Sequence, residues 1–297
     1  MLPRGGTEIL HENLIKHVSN DLLNKVNLLV SVCDKTLLSN KPNILWQHVN
    51  IDQRVAQGCK DIEFVNGIDK FVYVSEWQRQ KFHNEFNLPY NKSIVLHNAI
   101  EPIPYIEKSK DKIKLIYTST PWRGLEILLE SFKLLNRNDI ELDVYSSTVI
   151  YGSNFMPNHY DWLFNKCRAT KNVNYKGYAL NKGVRRALQH AHILAYPSIF
   201  EETSCLAAIE AGAAGCKIVT TDLGALPETC GNYATYVQHT SNYSKLIYDY
   251  AEVLNKEIDS YFENQDKLYT QSLYFNQKYS WHNRKIEWEE LLKSYES

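Results

Sequence analysis

Two glutamates eight residues apart, Glu202 and Glu210, are the residues of this 297-residue chain best suited to chemistry. They lie in PSIFEETSCLAAIEAGAAGCKIVTTDLGALPE, which begins at Pro197 and ends at Glu228. The stretch follows an apolar strand at 192–197 and reads as an acidic loop, a small-residue helix at 204–214, a strand at 217–221 and a Gly-Ala-Leu-Pro-Glu turn. Glu202 falls in the loop and Glu210 about two turns into the predicted helix. Carboxylates accept two strong hydrogen bonds and so suit sugar and ribose hydroxyls. Between the pair, Ser204, Cys205 and Leu206 place backbone N–H groups without intrahelical partners at the helix start, which is an anion site. An anion site flanked by two hydroxyl-binding carboxylates has the shape of a nucleotide-diphosphate-sugar. Solvent-facing glutamates on an ordinary βαβ unit are the other reading of the same pair.

Further positions could act with them. In TPWRGLEILLESF, Leu125, Leu128, Leu129 and Phe132 follow the i, i+3, i+4, i+7 spacing of a buried helix face, so a helix starts just after Gly124. Arg123 and the Gly124 backbone then stand at the C-terminal edge of the preceding strand, where a guanidinium can neutralise a diphosphate leaving group. Gly5 and Gly6 in RGGTE can form a tight loop that brings backbone close to a ligand. Glu8 beyond them is either an acceptor contact or a helix-dipole partner. His48, in ILWQHVN, follows a strand and is open to a structural or a ligand-contacting reading. The chain has no Asp-x-Asp pair, no Gly-x-Ser-x-Gly elbow, no Walker loop and no zinc spacing.

Glu202 and Glu210, following PSIF, resemble the paired-glutamate signature of the retaining glycosyltransferases of family 4, within the glycosyl transferases group 1. The variant has Ser-Cys where most members have Phe-Gly. The resemblance implies an α/β, GT-B fold: two Rossmann-like domains with parallel sheets facing a cleft, the first one truncated because only Met1–Arg4 precede the Gly-Gly turn. It implies transfer of a hexose from a UDP- or GDP-sugar to a glycan or related acceptor, with retention of configuration. In the family the first glutamate contacts the donor sugar and the second the ribose, which assigns those roles to Glu202 and Glu210. Thr203, Ser204, Cys205 and Leu206 then face the donor, Arg123 and Gly124 meet the diphosphate, and Tyr178, Ala179 and Leu180 cradle the base. Gly6 belongs to the loop near the transferring phosphate, and His48 touches the sugar, which makes His48, Arg123 and Glu202 the catalytic candidates. Arg123 stands where members have a lysine, while Ser119 and Thr120 stand near a second cation of the family. No metal or other cofactor is expected. A non-catalytic sugar-nucleotide or glycan-binding protein, a sugar phosphorylase and a nucleotide-sugar epimerase are the alternatives.

The elements that must hold these residues alternate strand and helix, as in α/β proteins with parallel sheets. Strands are predicted at 26–32, 43–49, 70–75, 93–98, 113–118, 141–146, 172–177, 192–197 and 217–221. Helices are predicted at 7–20, 53–65, 76–86, 124–136, 160–170, 182–191, 204–214 and 243–255. Pro102 and Pro104 in a charged segment mark a linker, giving domains at 1–100 and 101–275. In the tail at 276–297, Trp281, Ile286, Trp288, Leu291 and Leu292 fall at roughly helical spacing, an amphipathic helix that packs on a core; the resemblance implies that this helix packs back toward the first domain. A hydrophobic fraction of 44% and a charged fraction of 23% describe a folded domain rather than a disordered chain. A net charge of −1 offers no bulk attraction to nucleic acid or an acidic membrane, though peripheral membrane contact stays open. Six scattered cysteines read as buried thiols in a cytoplasmic protein. No apolar run approaches the ~20 residues of a membrane span.

Overall fold

The computed structural model describes residues 5–152 and 155–295. The first third of the chain forms four strands, β1 (Asn27–Val30), β2 (Asn43–Gln47), β3 (Lys70–Tyr73) and β4 (Ser93–Val95). Its helices are α1 (Gly6–His17), α2 (Asn20–Leu23), α3 (Ile62–Gly67) and α4 (Glu76–Phe86). The remainder forms β5 (Ile113–Tyr117), β6 (Ile140–Val144), β7 (Val173–Tyr175), β8 (Ile193–Tyr196), β9 (Lys217–Thr221) and β10 (Ala234–Val237). Between and after these strands lie α5 (Leu125–Leu135), α6 (Asp161–Ala169), α7 (Asn181–His190), α8 (Leu206–Ala213) and α9 (Leu226–Cys230). The chain continues through α10 (Tyr243–Asp259), α11 (Gln265–Lys278) and α12 (Trp281–Lys293).

Two compact, Rossmann-like units result. The first gathers residues 6–101, 202–205 and 278–295, and the second gathers Gly5, 102–201 and 206–277. In the first unit the four strands are parallel in the order β1-β2-β3-β4. All five residues of β2 are buried, as in a strand covered on both faces. Helix α12 packs on α1 and α2. Trp281 stacks on His17 of α1 at 5.4 Å, and Trp288 meets Trp46 of β2 edge-on at 5.1 Å. Ile286, expected on that buried face, is 48% exposed. Its place lies on the outer side of the helix, because Arg284 takes a buried position in the stripe instead. Ser75 and Ser280 cap α4 and α12 by accepting hydrogen bonds from the N–H groups of Gln78 and Asn283. The predicted helix at 53–65 is a 3-10 turn over Arg54–Lys60 followed by the short α3. The backbone there presses on a neighbour: a Cβ on Gly58 would lie 1.8 Å from the Cys33 carbonyl oxygen.

The second unit has six parallel strands in the order β10-β9-β8-β5-β6-β7. Adjacent strands β5 and β8 are followed by chains that leave in opposite directions, β5 toward β6 and β8 toward β9. That is a topological switch point, where open α/β sheets bind ligands at the strand C-termini. Leu125, Leu128 and Leu129 of α5 are fully buried, and Phe132 nearly so. Lys108 ties the entry of this unit to two helix ends: its buried ammonium donates to the carbonyls of Leu188 (3.2 Å), Gln189 (2.6 Å) and Ala214 (2.8 Å). A cation suits the C-terminal ends of α7 and α8. All six cysteines are buried thiols. Among the described residues, no helix is long and apolar enough to cross a membrane.

Candidate functional site

In the second unit the candidate residues sit in the loops after β5, β7 and β8. After β5 the chain makes a 3-10 turn over Pro121–Arg123, and Gly124 then adopts φ +118° before α5 begins. Only glycine fits there. A Cβ at Gly124 would lie 2.0 Å from the carbonyl oxygen of Pro197, so the loops after β5 and β8 touch backbone to backbone. This contact places the Arg123 guanidinium 4.3 Å from the centre of the Phe200 ring, a cation–π arrangement. The β8 loop is fixed from its other side by two buried hydroxyls of β9. Thr220 donates to the Tyr196 carbonyl and Thr221 to the Ser198 carbonyl, each at 2.7 Å.

Helix α8 begins at Leu206, two residues later than expected, so Glu210 lies only about one turn inside it. Ser204 and Cys205 precede the helix. Residues 202–205 belong to the first unit, and Thr203 is hydrogen-bonded within it. Glu210 is buried among the small residues of α8 and accepts a 2.9 Å hydrogen bond from Asn181 Nδ2, at the first position of α7. Burial pushes its carboxyl above the ordinary value of 4.5, while the Asn181 bond and the charge of Arg185 pull it back. A buried carboxylate holding one neutral donor keeps acceptor capacity for further hydroxyls. Tyr178, Ala179 and Leu180 occupy the loop between β7 and α7, which ends at Asn181, so they lie on the same connection as the Glu210 partner.

In the first unit His48 follows β2 at the C-terminal edge of its sheet. Its N–H donates to Gln47 Oε1 (3.0 Å) and Ser31 Oγ (3.3 Å), and its carbonyl accepts from Thr203 Oγ1 (2.8 Å). Ser31 itself is held at φ +63°, a conformation serine rarely adopts, at the end of β1. Gln78 extends the scaffold by donating to the Val49 carbonyl at 2.8 Å. The imidazole packs edge-on against Trp46 at 4.3 Å, and its buried Nε2 has no hydrogen-bond partner among the described residues. Burial, and secondarily the charge of His11, holds the ring pKa down to about 3, so the imidazole is neutral at pH 7. Glu202 and Cys205 are each 3% exposed in the same unit. Gly6, expected in a loop, is the first residue of α1, with Glu8 in the first turn of that helix. The expected truncation of the first strand falls on Met1–Arg4, which lie outside the described residues.

Asn181 and the hydroxyl contact of Thr203 are the site features the sequence did not single out. Among the described residues, no three His, Cys, Asp or Glu side chains converge as a metal set.

The chain matches the family model described as "Glycosyl transferases group 1" over residues 100–272. No curated protein matches it by sequence. Solved structures of similar fold include HepE of Anabaena in complex with UDP-glucose, at a TM-score of 0.69 and 14% identity over 86% of this chain and 72% of that one. A glycosyltransferase from Rickettsia africae aligns at a TM-score of 0.68 and 16% identity over 98% of this chain and 82% of its own. The pneumococcal O-GlcNAc transferase GtfA, solved with UDP and GlcNAc, gives 0.65 and 14% over 93% of this chain and 58% of GtfA.

Proposed function

This chain belongs to the glycosyl transferases group 1, and on that footing we propose that it moves a hexose from a UDP- or GDP-sugar to a glycan-type acceptor with retention of configuration. The observation that carries the reading is Glu210: a carboxylate buried in a small-residue helix beside a topological switch point, held by one amide donor. A buried carboxylate is expensive unless it has hydrogen-bond partners, and ribose hydroxyls would supply them. Arg123, at the strand edge of β5, neutralises the diphosphate as the bond to the sugar breaks. Glu202 accepts hydrogen bonds from the sugar hydroxyls. His48, as a neutral imidazole, can donate or accept one further bond to the same sugar. The protein thus supplies positioning and charge stabilisation, and the leaving phosphate takes the acceptor proton. Tyr178, Ala179 and Leu180 receive the base.

The reaction needs no added metal in this reading, because Arg123 and the start of α8 already offer positive potential to the diphosphate. A thermal-shift panel of UDP- and GDP-sugars, repeated after exhaustive chelation, tests both points. At least one nucleotide-sugar should raise the melting midpoint, by mass action on the folded state. Diphosphate release from that sugar should survive EDTA. A midpoint indifferent to every nucleotide-sugar contradicts the donor reading. A selective shift without turnover favours the non-catalytic binding alternative, and activity lost with EDTA and restored by manganese or magnesium contradicts metal independence.

A further inference from the structure

The geometry points to Thr203 as a positioning residue, whose side-chain hydroxyl fixes the His48 backbone and the Glu202 segment to each other rather than binding donor. Thr203 sits between Glu202 and the α8 start, where its hydroxyl is expected to face a ligand. Instead Oγ1 donates to the His48 carbonyl at 2.8 Å, a bond that spans 155 residues of sequence. Thr203 is 9% exposed, and Glu202 beside it 3%.

The other side of the His48 residue is held just as firmly. Its N–H is bound by Gln47 Oε1 and, from β1, by Ser31 Oγ, and Gln47 Oε1 also accepts from Val49 N at 3.1 Å. Gln47 is fully buried, so this anchor is part of the sheet rather than of a mobile loop. The His48 carbonyl would be the loose end of the arrangement without Thr203. With it, the backbone on both sides of the imidazole is clamped. The ring then has only its own torsions to vary, and it already rests on Trp46. The same hydroxyl holds Glu202 one residue away, so one hydrogen bond sets the relative placement of the two groups read as sugar-side contacts. Misplacement of reacting groups by about 1 Å is enough to slow an enzyme ~100-fold.

The inference rests on the reading of Glu202 and His48 as sugar-contacting groups. Its test uses the full chain with UDP-glucose and GDP-mannose as probes, measuring nucleoside diphosphate release and the ¹⁵N resonances of the His48 ring. Thr203→Val keeps the shape and removes the donor, while Thr203→Ser keeps the donor. Thr203→Val should lower kcat about tenfold or more, equivalent to ~1.4 kcal/mol of transition-state stabilisation. Affinity for UDP or GDP, which Thr203 does not contact, should stay within about twofold of wild type. The His48 ring resonances should shift in Thr203→Val and return in Thr203→Ser, together with most of kcat. A merely structural hydroxyl would change the melting midpoint and leave the ring resonances and the split between kcat and nucleotide affinity unmoved. Thr203→Val that turns over like wild type, or a Thr203→Ser that is as slow as Thr203→Val, overturns the inference alone. Wild-type protein that neither binds nor turns over any UDP- or GDP-sugar overturns the functional reading and this inference with it.

Discussion

Glu210→Gln is expected to stabilise the folded protein and to weaken its hold on nucleotide. The two effects have one origin. Burial raises the Glu210 carboxyl above its ordinary 4.5, so the folded state takes up a proton more readily than the unfolded chain does. Folding is therefore penalised as pH rises from the ordinary carboxylate value through the raised one, and the penalty is fully present above it. Glutamine keeps the shape and can still bond Asn181 through its amide oxygen, but it carries no charge to desolvate. A gain on the order of 1 kcal/mol at neutral pH is expected, shrinking as the pH is lowered through the carboxylate range. A charge-assisted hydrogen bond to ribose contributes about 1.5–3 kcal/mol, so affinity for UDP or GDP should fall about tenfold to a hundredfold. Denaturation across pH and calorimetry on the same protein check both signs. Unchanged nucleotide affinity would remove Glu210 from the site, and a destabilised variant would show that its charge is satisfied within the fold.

Arg123→Ala is the second large effect. The guanidinium is placed by the glycine contact between the β5 and β8 loops and held over Phe200. If it meets charge that develops on the leaving diphosphate, its loss lowers kcat more than it lowers ground-state affinity. A fall of roughly 100- to 1,000-fold in kcat is expected, from the size of single electrostatic contributions in other active sites. Nucleotide affinity should drop by about tenfold at most. Single-turnover kinetics beside equilibrium binding separate the two. Equal losses in both would place the diphosphate contact elsewhere, and no loss in either would return Arg123 to a solvated helix start.

The placement of both residues in the fold was legible in the sequence, Arg123 just after β5 and Glu210 inside the helix that follows β8, because strand and helix periodicity is a local signal. The buried stripe of α5 and the run of β2 are of this kind. What was not legible depends on contacts between distant segments. The Asn181–Glu210 bond joins residues 29 apart and the Thr203–His48 bond residues 155 apart. Neither leaves a spacing pattern. Nor does the start of α8 at Leu206 rather than Ser204, since residues 202–205 group with the first unit. The edge strand β10 and the helices α9 and α11 were missed because their segments are short or weakly periodic. Ile286 shows the converse error, an apolar residue counted into a buried face that Arg284 occupies.

The measurement that bears most directly on the central claim is ¹H NMR of the wild-type protein incubated with UDP- and GDP-sugars and a mixture of glycan acceptors. Sugar transfer with retention requires that UDP or GDP appear in step with a new glycoside, and that the first product formed carry the anomeric configuration of the donor. A first product of inverted configuration would contradict retention. No diphosphate and no glycoside from any donor, with the protein folded and the acceptors varied, would contradict sugar transfer itself.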